Sequence, residues 1–281
     1  MRSFILGVVL PTALVLAAAA GWWFHRHGNA RRATIAAGSA GYRRIADGIV
    51  RAVHKERPEL TLTVAETAPG ASGASSGSVG NLDDLRAGRA QLALIQNDVC
   101  DSADDSSSVC MIAPLYREML HILVRNEPGA KAGNGAADSI DLRDLAGKTA
   151  LVGAASSGTA ATVEKLLAHY GLSAKDFTPI RENLEDYLNA CGGRPSAHPA
   201  PRPDVCFQVA GPKSEPCQRL LDSGEYRLVG FRRSAAGDSS EADGFCAAVP
   251  AFFPAVIPPG LYGCRAVQDW QPRAPVPTIG V

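Results

Sequence analysis

From residue 33 onward the chain alternates short apolar runs with amphipathic stretches. "ATIAAGS" reads as a strand and turn, after which Ile45, Ile49, Val50 and Val53 recur at helical spacing until Pro58. "LTLTVAE" is a strand. A Gly/Ser-rich loop follows, then a helix with Val79, Leu82 and Leu85 on one face, stopped by Gly88, and then the strand "QLALIQ". The second half repeats the rhythm: "KTALVG", a helix through Val163, Leu166 and Leu167 ending at Gly171, a short helix from Asn183, the strand "DVCFQVA", a helix to Gly224, and "RLVGF". Such alternation predicts an α/β fold with helices on mostly parallel sheets. Ligands in such sheets sit beyond the carboxyl ends of strands, where the Ser/Gly turns of this chain fall.

One of those turns carries candidate chemistry. In "LVGAASSGTAATVEKLLAHYGL", residues 151–172, Ser156, Ser157, Gly158 and Thr159 stand where a strand becomes a helix. A helix mouth offers unpaired N–H groups and the positive end of the dipole, which suits an anion. A phosphate loop would add a lysine after its last glycine, and Thr159 stands there instead. A small organic acid fits better than a nucleotide. The plainer alternative is that Ser157 or Thr159 only caps the helix.

Composition narrows the class. The 281 residues, 46% hydrophobic and 20% charged, can bury a core and have room for two lobes. Lys plus Arg number 28 and Asp plus Glu 28, so no basic field recommends nucleic acid as a partner. The first residues form an apolar run from Ser3 to Phe24, ~20 residues, enough for a membrane-spanning helix. Ala17 to Gly21 offers a cleavage site, whereas Trp22 and Trp23 resemble an interfacial belt and favour an uncleaved anchor. Arg26, Arg31 and Arg32 follow the span and only Arg2 precedes it, which by itself favours a cytoplasmic remainder.

The cysteines argue for export. Seven of them, at 100, 110, 191, 206, 217, 246 and 264, include no Cys-x-x-Cys pair, so zinc ligation and thioredoxin-like chemistry have little support. A bridge from Cys100 to Cys110 across "CDSADDSSSVC" is the first disulfide expected, and Cys246 with Cys264 the second. The alternative is buried free thiols acting as small apolar side chains.

Taken in order, "IAAGSAGYRRIADGI", "GSVGNLDDLRAGRAQLALIQNDVC", "LYREMLHILVR", "DLRDLAGKTALVGAASSGTA", "GL", "YRLVGF" and "VPTIGV" resemble the TAXI family of solute receptors, the extracytoplasmic binding subunits of TRAP-type transporters. The likeness runs from about Ala33 to the last residue. It implies a two-lobed periplasmic-binding-protein fold that closes on a small carboxylate, such as glutamate or 2-oxoglutarate, with no cofactor and no catalysis. On that pattern residues 1–30 are an anchor or signal. Residues 31–126 with 227–281 form the first lobe, and 127–226 the second. The protein is then periplasmic, held at the inner membrane by its N-terminal segment and working with membrane permease subunits.

The resemblance also assigns contacts. Gly38, Ser39, Gly41 and Tyr42 match the family's first glycine loop, although the second glycine and the threonine of its usual form are missing and Arg43 and Arg44 stand where a tyrosine and a proline are common. Arg43 can pair with a carboxylate or lie on a solvated helix face. Ser78 matches a hydroxyl lining the family's cleft or is an N-cap. Gln96 and Asp98 match a Gln-x-Asp that ends the central strand, Gln96 offering an amide hydrogen bond and Asp98 either holding an amine or orienting a neighbour. Gln208 and Gly211 fall where the second lobe reaches the cleft, and the turn at Ser156, Ser157, Gly158 and Thr159 becomes its carboxylate cradle.

Family members continue past "PVPTIGV", so a chain stopping at Val281 is expected to leave an apolar strand uncovered, with another chain or a decayed gene as the explanation. Two rival readings stand beside the receptor: an anchored sensor or interaction protein, and a serine hydrolase. The second rests on "GASSG", residues 73–77, with Ser75 as nucleophile and His54, His121 or His169 as base. Ser75 has no strand and helix immediately around it, and each histidine lies in a periodic segment where a surface or packed role is ordinary.

Overall fold

The computed structural model describes residues 32–65, 77–100, 109–126, 139–173, 175–192, 201–233, 240–262 and 275–281. The N-terminal apolar run, Ser75 and Cys264 lie outside the described residues, as do most of the segments "APGASGASSG", 68–77, and "CGGRPSAHPAPRP", 191–203. Among the described residues no helix is long and apolar enough to cross a membrane.

The described chain divides into two compact units, one of residues 32–65 and 81–94, the other of residues 77–80 and 95–281. The smaller unit is a three-stranded parallel sheet. β1 (Arg32–Ala36) lies between β2 (Thr61–Val64) and β3 (Leu92–Ala93), with Ile35 opposite both Val64 and Leu92. Helix α1 (Ala40–Glu56) supplies Tyr42, Ala46, Ile49 and Val50, three and four apart, to a core shared with Ile35, Leu62, Val64 and Leu92. α2 (Ser78–Arg86) crosses the division between the units, its first three residues belonging to the larger one.

The larger unit is one mixed sheet clothed on both faces. Its main path runs β10 (Phe253–Ile257), β11 (Val276–Gly280), β4 (Met119–Arg125), β8 (Val205–Ala210), β6 (Thr149–Leu151) and β7 (Thr178–Ile180). β9 (Tyr226–Phe231) pairs with β4 and with β5 (Ser139–Ile140). Pairing is parallel for β6 with β7 and β8 and for β5 with β9, and antiparallel at β10–β11, β11–β4, β4–β8 and β4–β9. The antiparallel strip is what period alone did not announce. β4, β9, β10 and β11 thus share one sheet with β5, β6, β7 and β8.

Strand alternation sorts the core into two. Leu120, Ile122, Val205, Phe207 and Val209 face α3 (Gly158–His169) and α6 (Glu241–Ala248). Leu123, Cys206 and Leu228 face α4 (Leu184–Ala190) and α5 (Glu215–Asp222). Each fully buried leucine or phenylalanine in these layers contributes about 1.5–3 kcal/mol.

Two expectations are corrected here. Every residue of β11 is buried, because β10 pairs along one edge and β4 meets the other, while Val281 and Glu118 exchange both backbone hydrogen bonds. The last strand is therefore covered within this chain. Cys100 and Cys110 both carry free thiols, so the expected bridge is not formed; their spacing permits one without imposing the Cα separation of about 4.4–6.8 Å that it needs. Cys246 is likewise a free thiol, packed beside Phe245, and its expected partner lies outside the described residues. Cys191, Cys206 and Cys217 sit in the second core layer, where burial pushes the Cys206 thiol well up and that of Cys217 up to about 12. Those two thiols stay protonated, and all three cysteines pack as small apolar side chains.

Candidate functional site

The turn between β6 and α3 is built by close backbone approach. Gly153 has φ +87°, and a Cβ there would stand 2.6 Å from Ser157 Oγ, so only glycine serves. The chain then turns through Ala155 and Ser156, and the Ser157 amide bonds the Ala154 carbonyl at 2.9 Å. Ser157 caps α3, its Oγ accepting from the Ala160 amide at 3.1 Å. The Ser156 carbonyl accepts from the Gly80 amide at 3.2 Å. Gly158 lies flat against the Gln96 carboxamide, which any Cβ at that position would overlap. Thr159 points the other way, and its hydroxyl accepts from the Val209 amide at 3.1 Å, tying α3 to β8.

Behind the turn lies a buried polar cluster. Asp98, in the 3-10 turn Asn97–Val99, is 2% exposed, yet its carboxylate is fully engaged. Gln96 Nε2 donates to Oδ1 at 3.2 Å and also to Thr162 Oγ1 at 3.2 Å. Thr162 Oγ1 donates to Oδ2 at 3.1 Å, and the Lys165 ammonium stands 3.7 Å from Oδ2 while bonding the Asp98 carbonyl. Burial pushes the Asp98 carboxyl above its ordinary range, and Lys165, then Thr162 and Gln96, oppose that shift. The Gln96 amide is anchored in turn by Ser78, whose hydroxyl accepts it at 2.9 Å. Gln96, Asp98 and Ser78, which the resemblance assigns to the ligand site, are here bonded so that the 96–98 turn is joined to the start of α2 and to α3.

Gln208 is half-buried on β8, with Nε2 donating to the Val209 carbonyl at 2.8 Å. Gly211 follows the strand beside the Tyr116 ring, which a Cβ would touch at 3.6 Å.

In the smaller unit, Ser39 caps α1 by accepting from the Tyr42 amide at 3.3 Å. Gly41 has open space around it, Tyr42 is a core residue, and Arg43 is exposed. The turn is held from α2: Asn81, wholly buried, accepts from the Gly38 amide at 2.8 Å and donates to the Leu94 carbonyl at 2.7 Å.

Sequence reasoning missed Asn81, Thr162 and Lys165. The signals were present: Asn81 is a polar residue beside Leu82 in an otherwise apolar helix start, and Thr159, Thr162 and Lys165 repeat at three-residue steps on α3. Of the candidate bases, His54 and His169 are exposed, whereas His121 is wholly buried. Among the described residues no group of His, Cys, Asp and Glu is arranged to hold a metal.

The described residues make an α/β protein whose Ser/Gly turns lie at the carboxyl ends of β1 and β6, the place where open sheets of this kind take small ligands. A family model described as NMT1-like matches residues 35–281, and the chain belongs to the NMT1-like family. Among curated proteins no sequence matches. Solved structures that resemble it include a protein from Bordetella bronchiseptica RB50, 18% identical with TM-score 0.49 over 79% of this chain and 67% of that one. Another is the periplasmic aliphatic sulphonate binding protein SsuA from Escherichia coli, 17% identical with TM-score 0.40 over 70% of this chain and 55% of that one. A third is the alkanesulfonate-binding SsuA from Xanthomonas axonopodis pv. citri, 18% identical with TM-score 0.42 over 71% and 60%. The chain thus spans 55% to 67% of these proteins' lengths.

Proposed function

We propose that the protein is an extracytoplasmic solute receptor that binds a small carboxylate, glutamate or a dicarboxylate such as 2-oxoglutarate, for a TRAP-type transporter. The observation that carries this reading is the family match across residues 35–281, which covers the same stretch as the TAXI-like motifs and contains the β6–α3 turn. Ser157 and Thr159 use their oxygens as acceptors, and a hydroxyl that accepts retains its own proton to donate. Those two protons and the N–H groups of Gly158 and Thr159 are the donors offered to a carboxylate, at ~1.5–3 kcal/mol for each charge-assisted bond. Periplasmic placement and an N-terminal anchor or signal accompany this role.

A thermal-shift screen of the purified protein against amino acids, 2-oxo acids and dicarboxylates tests it. A ligand that binds only the native state raises the melting temperature in proportion to RT ln(1 + [L]/Kd). A shift that grows with glutamate or 2-oxoglutarate concentration is expected. No shift with any acid at millimolar concentration sinks the receptor and leaves the anchored sensor.

A further inference from the structure

His121 is on β4, opposite Gln208 of β8, and its side chain faces the core layer that contains Leu123, Cys217 and Tyr262. Its Nδ1 lies 3.3 Å from the Gln208 carbonyl, and its Nε2 lies 2.7 Å from the Tyr262 hydroxyl. That hydroxyl also accepts from the Ser214 amide at 3.1 Å. The three contacts permit one arrangement of protons. Ser214 N–H donates to the tyrosine oxygen, so the tyrosine proton goes to Nε2, and the imidazole keeps its single proton on Nδ1 for the Gln208 carbonyl. The chain is complete only with a neutral imidazole. A second proton, on Nε2, would aim a further donor at the Tyr262 oxygen, whose own proton would then need another acceptor inside the core.

What the chain holds is the turn between β8 and α5. Lys213 stands at φ +60°, a left-handed conformation unfavourable for a lysine, and Ser214 next to it caps α5 by accepting from the Cys217 amide at 3.5 Å. Gly211 opens this turn, and Gln208 contributes the carbonyl at the other end. We propose that His121, Tyr262 and the Ser214 amide form a buried clamp that fixes the β8–α5 turn only while His121 is uncharged, making the position of Gly211 and Gln208 sensitive to acid. This regulates the ligand site of the proposed receptor and rests on that reading only for its effect on binding.

The surroundings leave little else to titrate. β8 presents the Gln208 carbonyl, β4 itself the Met119 carbonyl, α5 the Cys217 thiol, and the segment after β10 Tyr262. β9 and β11 bring Leu228 and Val276 to the same layer. Among the described residues no carboxylate acts on the imidazole, so burial prevails over the two backbone carbonyls and pushes it down to about 4. Since the neutral form is favoured in the closed state, the clamp is intact above the ordinary histidine range near 6.5 and weakens as pH falls from there toward 4.

Hydrogen exchange of the full chain, read on a peptide spanning 211–216 and corrected for the intrinsic rate, tests the clamp without any ligand. From pH 7.5 to 4.5 wild-type protection should fall by about a hundredfold, tenfold for each pH unit below the free histidine value. His121→Gln, whose carbonyl still accepts from Tyr262, should show no such fall. Tyr262→Phe should lose at least about tenfold in protection already at pH 7.5. A flat wild-type profile, or the same slope in wild type and His121→Gln, overturns the proposal. Titration with L-glutamate and 2-oxoglutarate at both pH values adds the binding arm. If neither binds at pH 7.5 the receptor reading falls, while the exchange data still decide the clamp.

Discussion

Two strand-to-helix turns of this protein share a local grammar and differ in what stands behind them. At β1–α1 and at β6–α3 a glycine-containing turn ends in a serine that caps the helix, through Tyr42 in one and Ala160 in the other. At α1 the space beside Gly41 is open and Arg43 is exposed. At α3 Gly158 is pressed against Gln96, and Asp98, Thr162 and Lys165 form a buried polar cluster behind it. The same caps therefore begin one helix that tolerates change and one whose first two turns are specified by tertiary contacts.

The largest difference should appear on adding a methyl group. Gly158→Ala must displace the Gln96 carboxamide and the cluster it serves, an overpacking that costs about 1–3 kcal/mol. Gly41→Ala meets nothing and replaces glycine by a better helix former, so it should be neutral or stabilising by up to ~1 kcal/mol. Urea unfolding of the two variants compares the turns directly, and equal losses would erase the contrast.

Lys165→Met removes the cation beside a buried carboxylate and sharpens the same comparison. Because the lysine side chain is about one-third exposed, the loss should stay near 1–2 kcal/mol at pH 7.5, below the cost of breaking a fully buried pair. Asp98 would then titrate even further above its ordinary range. A group with a raised folded pKa contributes stability that is present at low pH and lost as pH rises through that value. The variant should accordingly approach wild type between pH 7.5 and 5, a recovery that calorimetry at the two pH values would detect.

Thr159→Val leaves the Val209 amide without its acceptor and should cost about 1 kcal/mol or somewhat more in the unliganded protein, whereas Thr159→Ser should restore most of it. Comparison of melting temperatures with and without 2-oxoglutarate separates this structural share from any donor role at the ligand. The smallest effect expected is from the caps themselves. Ser39→Ala and Ser157→Ala should each lose ~1 kcal/mol, and a much greater loss at Ser157 would mean that its hydroxyl supports the buried cluster as well as the helix start.

The alternation of apolar runs and amphipathic stretches was enough to place α1, α2, α3, α4 and α5, and strands β1, β2, β6, β8 and β9, close to their observed bounds. Those elements are set by periodicity and by local stops such as Gly88, Gly171 and Gly224, each of which lies two residues past the helix it ends. Periodicity did not announce β7, β10 and α6, and β3 shrinks to two residues because only part of "QLALIQ" meets β1. The cysteines were legible only as alternatives; for Cys191, Cys206 and Cys217 it was burial among leucines, which neither spacing nor number encodes, that made them small apolar side chains.

By itself, the amino-acid order determined an α/β chain and a helix start within the turn at Ser156 to Thr159, because each of these depends on neighbours within one or two helical turns. Tertiary structure alone decided that the last strand is buried between β10 and β4, that Asp98 meets Thr162 and Lys165 across more than sixty residues of chain, and that His121 reaches Tyr262 across 141. The reason is physical: a buried polar group must find its partner wherever folding brings one, and no local pattern records which of the distant donors and acceptors that will be.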